Sequence, residues 1–427
     1  MALITLSDQA KGPIKPMHGV GQPPFLGLNF KHFHYLTEAG IPFVRLHDVG
    51  SYCGGHFVDI PNIFPDFDAD PADPASYDFT FTDKMLLALH DAGLETFYRL
   101  GVTIENYAYI KPYRIHPPKD NRQWARICEG IIRHYNEGWA DGYHLGLRYW
   151  EIWNEPENLR DPKRNQMWTG TAQQYFELYE AASKHLKTCF PNIKVGGYAS
   201  CGFYALYADK NHELFTDFEY YMEFFDDFLA YVKAHDCPLD FFSWHNYNTV
   251  KEILLCADYA RKRLDEEGFT KTETTCNEWN CYPDKRGTAL HAANTAAILL
   301  GMQDSPLDSA MFYDARLGPS MYGGMFNPLT YKPLLGYYPF LAFNELYKRG
   351  TEMTLTKDND AIYAVAAEQN GDGFMMIANI GSDAALTLNL AGKTVTACKL
   401  IDDDHEYVDA PLPKLLKQNT VACVWYK

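Results

Sequence analysis

The chain has 427 residues, 47% apolar and 22% charged, the balance of a folded globular protein rather than a disordered one. Its 55 acidic residues outnumber 38 basic ones, and the net charge of −17 excludes a broad basic surface for nucleic acid or an anionic membrane. No stretch approaches the roughly 18 consecutive apolar residues of a membrane-spanning helix.

Met1 to Ala10 carries Asp8 and only a short apolar run, which fits no signal peptide, so the expected location is cytoplasmic. There the ten cysteines would be reduced. Cys276 and Cys281 are the closest pair, but they lack the matching second pair of a zinc site, and no metal or cofactor is expected. Aromatic residues reach 15%, which suits either sugar stacking or a tyrosine-rich core.

In chain order, Leu3 to Leu6 reads as a strand set apart by Gly12, Pro13 and Pro16. His18-Gly19-Val20-Gly21 is a weak first barrel strand, followed by a helix over Lys31 to Ala39. His32 and His34, two apart on that helix, read as surface residues rather than metal ligands. Ile41 to Asp48 is a second strand ending in polar groups, and the Gly-, Asp- and Pro-rich stretch from Ser51 to Tyr77 is a functional loop candidate. A helix over Thr82 to Ala92 precedes strand Glu95 to Leu100, and Trp124, Ile127, Cys128, Ile131, Ile132 and Tyr135 trace one face of the next helix.

Tyr149 to Pro156 reads as a buried strand that runs out into Glu155 and stops at a proline. Capping boxes at Thr171 with Gln174, Thr216 with Glu219 and Thr249 with Glu252 open three helices. Between and after them lie strands at Ile193 to Tyr198, Leu239 to Tyr247, Thr272 to Glu278 and Ser309 to Asp314, with helices at Ala289 to Leu300 and Tyr331 to Lys348. Eight strand–helix alternations predict an α/β fold, a (β/α)8 TIM barrel. After Gly350 only short strands remain, predicting a small antiparallel β-sandwich that the N-terminal strand joins. The expected division is residues 1–13 for that strand, 14–350 for the barrel and 351–427 for the sandwich.

Glu155 and Glu278 end the fourth and seventh barrel strands, and those ends face each other across the mouth of an eight-strand ring. Two carboxylates so placed, one protonated and one ionised, are what glycosidic bond cleavage requires. Asn154 and Glu155 can both serve only if the strand end bends or bulges, since strict alternation separates them. Glu151 reads as a buried structural partner, and Glu273 as lying at the entrance end of its strand.

On His18-Gly19-Val20, Arg45-Leu46-His47, Glu151 to Pro156, Gly196-Gly197, Ser243 to Tyr247 and Glu278-Trp279-Asn280, the chain resembles the clan A retaining glycoside hydrolases. It is most similar to glycoside hydrolase family 39, the β-xylosidases and α-L-iduronidases. The resemblance implies Glu155 as acid/base, Glu278 as nucleophile, and Asn154 as partner of the sugar 2-hydroxyl. It implies Tyr247 as the residue holding the nucleophile, His47 and His245 as sugar ligands, and Arg45 as support. His245 has the alternative of a hydrogen-bonded barrel-top residue, and Arg45 that of a structural ion-pair partner. Tyr313, Asp314 and Arg316 end the eighth strand and could line the subsite, or Arg316 could pair with Asp314.

The expected substrate is a small or oligomeric glycoside, and a homo-oligomer is compatible with the sequence. The preferred reading is an exo-acting β-xylosidase-like enzyme on short plant-derived glycosides, because long loops after the second and third strands could close a pocket. Arabinosidase, β-galactosidase and α-L-iduronidase activities are the near alternatives, with Arg316 or Arg114 as the cation a uronate would need. A catalytically silent carbohydrate-binding barrel is the alternative from another class. Residues 157–162 depart from the family pattern, which leaves the sugar open.

Overall fold

The computed structural model describes residues 1–49, 57–104, 115–318 and 320–427. Eight parallel strands close a barrel: β2 (Gly19–Gly21), β3 (Phe43–Leu46), β4 (Glu95–Leu100), β5 (Tyr149–Ile152), β6 (Lys194–Ser200), β7 (Phe241–Asn246), β8 (Glu273–Trp279) and β9 (Ser309–Phe312). The strand β1 (Ala2–Pro13) precedes them and lies elsewhere.

The barrel is filled in layers that the period-2 alternation of its strands sets. Phe43, Phe97, Tyr149, Phe241 and Met311 form an apolar floor at the strand starts. Phe97 lies 4.9 Å, ring centroid to centroid, from both Tyr149 and Phe241. Two residues further along the same strands come Arg45, Arg99, Glu151 and Ser243, all buried. The repeated pattern aromatic–x–polar thus puts an apolar plug below and a hydrogen-bonded layer above it. Gly196 is required for close approach, since a Cβ there would sit 2.1 Å from the Phe241 carbonyl oxygen.

The helices follow the sequence with three differences. The capping boxes of α5 (Ala172–Cys189) and α7 (Val250–Glu266) form as expected. That expected at Thr216 does not: α6 (Phe215–Ala234) begins earlier, with Leu214 at its cap, so Thr216 sits inside the first turn. The last barrel helix, α9 (Tyr338–Arg349), starts later than Tyr331, and Pro339 occupies its first turn, where a missing N–H costs nothing. His32 precedes α1 (Phe33–Glu38) and is buried rather than at the surface; only His34 is exposed. The described part of the loop from Ser51 to Tyr77 carries a short helix, α2 (Ile60–Ile63). Between these lie α3 (Thr80–Asp91), α4 (Asn121–Glu137) and α8 (Ala289–Gln303).

Beyond the barrel, β1 joins a nine-stranded sheet with the C-terminal strands, paired antiparallel to β10 (Thr351–Lys357) and parallel to β13 (Ala384–Asn389). The other strands are β11 (Ile362–Gln369), β12 (Asp372–Asn379), β14 (Val395–Ile401), β15 (Glu406–Asp409), β16 (Leu415–Leu416) and β17 (Thr420–Tyr426). Both faces of its central strands are buried. Ile362, Ala364, Met375, Ile377 and Val424 enter a core of the sheet's own, with residues from strands near both edges, so the sheet folds over itself as a sandwich. The alternating Val365, Phe374, Met376 and Cys423 pack toward the barrel. Helix α8 lies against this face and is buried almost all round, which explains its lack of a polar stripe.

Candidate active site

Both carboxylates of interest are turned inward by breaks in strand regularity. β5 ends at Ile152, after which Trp153 and Glu155 adopt left-handed backbone conformations with φ of 74° and 45°. Each such residue costs roughly 1–2 kcal/mol. Local hydrogen bonds offset the cost: Trp153 N donates to Leu100 O at 2.8 Å, and Glu155 N reaches the Tyr198 and Ala199 carbonyls at 3.1 Å. The break brings Asn154 and Glu155 to the same mouth, as the bend expected there requires. At β8 the register shifts against both neighbours between Cys276 and Trp279, a β-bulge that turns the adjacent Asn277 and Glu278 inward together.

Arg45 joins the two strand ends. Its Nη1 donates to Glu278 Oε1 at 2.6 Å, its Nη2 to Asn154 Oδ1 at 2.7 Å, and its Nε and Nη2 to Glu151 Oε2 at 2.8 and 2.7 Å. Burial disfavours the charged guanidinium, but Glu151 and Glu278 outweigh it and raise the Arg45 pKa further. The second oxygen of Glu151 accepts from Ser243 Oγ and Asn277 Nδ2, both at 2.6 Å. Glu151 is thus fully engaged by protein groups, while Glu273 lies at the far end of its strand against Lys194 and Tyr149.

Tyr247 donates its hydroxyl to Glu278 Oε2. His245 is wholly buried, and its Nδ1 lies 2.7 Å from Glu155 Oε1 and 3.6 Å from Glu278 Oε2. Asn158 donates to the other Glu155 oxygen at 2.9 Å. One carboxylate oxygen from each of Glu155 and Glu278, with a His245 nitrogen, lie within 4.8 Å of one another. The Glu155 side chain keeps 16% exposure, an opening at the mouth. Burial opposes ionisation of Glu155, but the hydrogen bond and charge of His245, then Asn158 and Arg45, outweigh it and lower its pKa.

The remaining residues form the walls. Both ring nitrogens of His47 meet protein groups, Arg99 Nε and Asp48 Oδ1, each at 3.1 Å. Burial, then Arg99 and Arg45, push the His47 pKa well down, so the ring is neutral. Tyr313 donates to Asp48 Oδ2 at 2.8 Å and accepts from Gln22. Arg316 Nε lies 3.5 Å from Asp314 Oδ2, the pairing that was the alternative to a subsite role. Arg114 falls outside the described residues. Tyr322 stands beside Tyr247 and Tyr313, ring centroids 4.8 and 5.2 Å away.

Asn277, Asn158, Asp48, Gln22 and Tyr322 were not singled out from the sequence as site residues. The one available signal was the Asn-Glu pair repeated at both strand ends, which marks Asn277 beside Asn154.

The family model for glycosyl hydrolases family 39 matches residues 32–272, more than half of the chain. The chain belongs to glycosyl hydrolases family 39. The match includes Glu155 and ends six residues before Glu278. Among the chain's relatives, the β-xylosidase of Geobacillus stearothermophilus is 26% identical over 245 residues, covering 55% of this chain and 42% of that protein. The β-xylosidase of Caldicellulosiruptor saccharolyticus is 28% identical over 340 residues, 71% of this chain and 64% of that one. The chain therefore matches only about two fifths to two thirds of the length of these relatives. A crystal structure of a glucosidase from Croceicoccus marinus superposes with a TM-score of 0.78 at 21% identity, over 100% of this chain and 99% of that one, and shows the shared fold.

Proposed function

We propose that this family 39 chain is a retaining O-glycosidase working by double displacement, with Glu278 as nucleophile and Glu155 as general acid, then base. The observation that supports it is the placement of a Glu155 and a Glu278 carboxylate oxygen within 4.8 Å. Retaining enzymes hold their carboxyl groups roughly 5–5.5 Å apart, whereas inverting enzymes need roughly 6.5–9.5 Å to admit a water between carboxyl and sugar.

In the first step Glu278 attacks the anomeric carbon while the Glu155 proton passes to the leaving oxygen. In the second, Glu155 takes a proton from water, whose oxygen displaces Glu278 from the sugar. Arg45 and Tyr247 fix both Glu278 oxygens in the attacking orientation. Asn154 gives its oxygen to Arg45, and its amide NH2 is the donor for the sugar 2-hydroxyl. Neither step needs a metal or organic cofactor, since the two carboxyl groups supply the nucleophile and the proton. Because His245 and Asn158 favour the ionised form of Glu155, the first step is best served on the acid side of neutrality.

The proposed substrate is a short plant-derived β-xyloside attacked from its end, in line with the two β-xylosidase relatives. An α-L-iduronidase would need a cation for the uronate, and Arg316 is already beside Asp314. A panel of aryl glycosides tests the sugar, with xylosides expected to react fastest. Glu278→Ala should lower kcat about ten-thousand-fold, and azide should restore turnover with product of inverted configuration. Undiminished activity of that variant would remove Glu278 from the mechanism. Inactivity of the parent on the whole panel would favour a silent carbohydrate-binding barrel.

A further inference from the structure

Glu157 lies two residues beyond Glu155 and is fully buried. Its Oε1 accepts from Ser200 Oγ at 2.8 Å and from Cys201 N at 2.7 Å, which ties the turn after β5 to the end of β6. Its Oε2 is buried with no hydrogen-bond partner. The groups facing it are Glu155 on its own turn, Tyr198 and Cys201 on β6 and its extension, Tyr175 on α5, and Tyr220 and Tyr221 on α6. None of these is a cation. Arg160, beside Tyr220, pairs instead with Glu223 at 2.8 Å, and no Lys, Arg or His among the described residues forms an ion pair with Glu157.

A carboxylate buried with one bare oxygen and no counter-ion is costly, and protonating that oxygen exchanges an unpaired buried charge for the smaller cost of an unpaired hydroxyl. We infer that Glu157 is a positioning residue that works as a neutral acid, clamping the Glu155 turn onto β6 and releasing it when it ionises. The inference rests on the glycosidase reading for its effect on turnover, but not for its effect on folding. Burial first, and the Glu155 charge further down the order, push the Glu157 pKa up to about 8. The folded chain therefore holds a proton that the unfolded chain releases near the ordinary Glu value. Stability from this group is full below that value, falls as pH rises and levels off above about 8.

Glu157→Gln separates this role from a simple packing role, because the amide keeps the acceptor and the shape but cannot ionise. Thermal unfolding of parent and variant should coincide near pH 4.5, diverge in favour of the variant as pH rises, and hold a constant gap above about 8. On a 2,4-dinitrophenyl glycoside, whose leaving group needs no proton and whose second step uses ionised Glu155, parent kcat should fall toward tenfold per pH unit above that point. The variant should match the parent within about threefold at pH 6 and stay flat through the alkaline range. A gap in unfolding temperature that does not change with pH would overturn the neutral-acid assignment whether or not any glycoside is turned over. A stability gap of the expected form with identical pH profiles of kcat would overturn only the link to Glu155. If the variant does not fold, Ser200→Ala removes a hydrogen bond that favours the ionised form, so the pH at which the loss of unfolding temperature ends should rise above the parent's. An end point that does not move in Ser200→Ala, or a parent whose unfolding temperature does not fall between pH 6 and 8, would overturn the inference.

Discussion

Arg45 is the residue on which both carboxylate-bearing strands converge, and its removal would leave Glu151 buried without a cation. Breaking such a pair from one side costs roughly 3–5 kcal/mol. Arg45→Met should therefore lose about that much in urea unfolding, and adding Glu151→Gln should recover part of it, a coupling that a double-mutant cycle reads directly. His245 acts differently, as the donor that favours the ionised form of Glu155. With His245→Asn the opposing effect of burial gains weight and the Glu155 pKa rises. The alkaline limb of kcat/KM is then expected to move to higher pH, while kcat drops about a hundredfold because the carboxyl is no longer aimed. An unmoved limb would assign the lost activity to packing alone.

At the scale of elements, the site depends on where two strands stop being strands. The left-handed residues after β5 and the bulge in β8 each turn two neighbouring side chains to one side, which no regular strand does. The starts of β3, β4, β5, β7 and β9 carry the apolar floor, at the opposite end of the barrel from these breaks. Phe97→Ala should cost about 3–5 kcal/mol as a large-to-small core change. Its kcat should remain near the parent's at temperatures where the variant stays folded. A large loss of kcat without loss of stability would mean that the floor also sets the Arg45–Glu151 layer above it.

Across the whole molecule, the first strand and the last ones complete one sheet. β1 lies between β10 and β13, so it is an interior strand although it begins the chain. Deleting residues 1–13 would expose two unpaired edges and the apolar face around Ile4 and Leu6. The truncated protein should aggregate or unfold well below the parent in a thermal scan. An unchanged unfolding temperature would show that the sheet closes without β1.

The sequence alone determined the barrel, because helical and strand periodicities alternate eight times and parallel strands buried on both faces read as apolar runs. It also determined the positions of Glu155 and Glu278, since a carboxylate that ends a buried strand before a turn is visible in one dimension. The resemblance named three of their partners, Arg45, Tyr247 and His245, but the rest of the hydrogen-bonded layer around them was mostly not legible. Asn158 is three residues from Glu155, but Ser243 and Asn277 meet Glu151 across 92 and 126 residues, and Asp48 meets Tyr313 across 265. Such pairings are set by ring closure and by local breaks in register, which leave no periodic trace. The same holds for Glu157: its sequence neighbourhood shows an ordinary acidic turn, and only the packing of β6, α5 and α6 around it removes water and every cation. Tertiary structure decided which acidic residues are exposed, which are paired, and which one is left buried with an oxygen to spare.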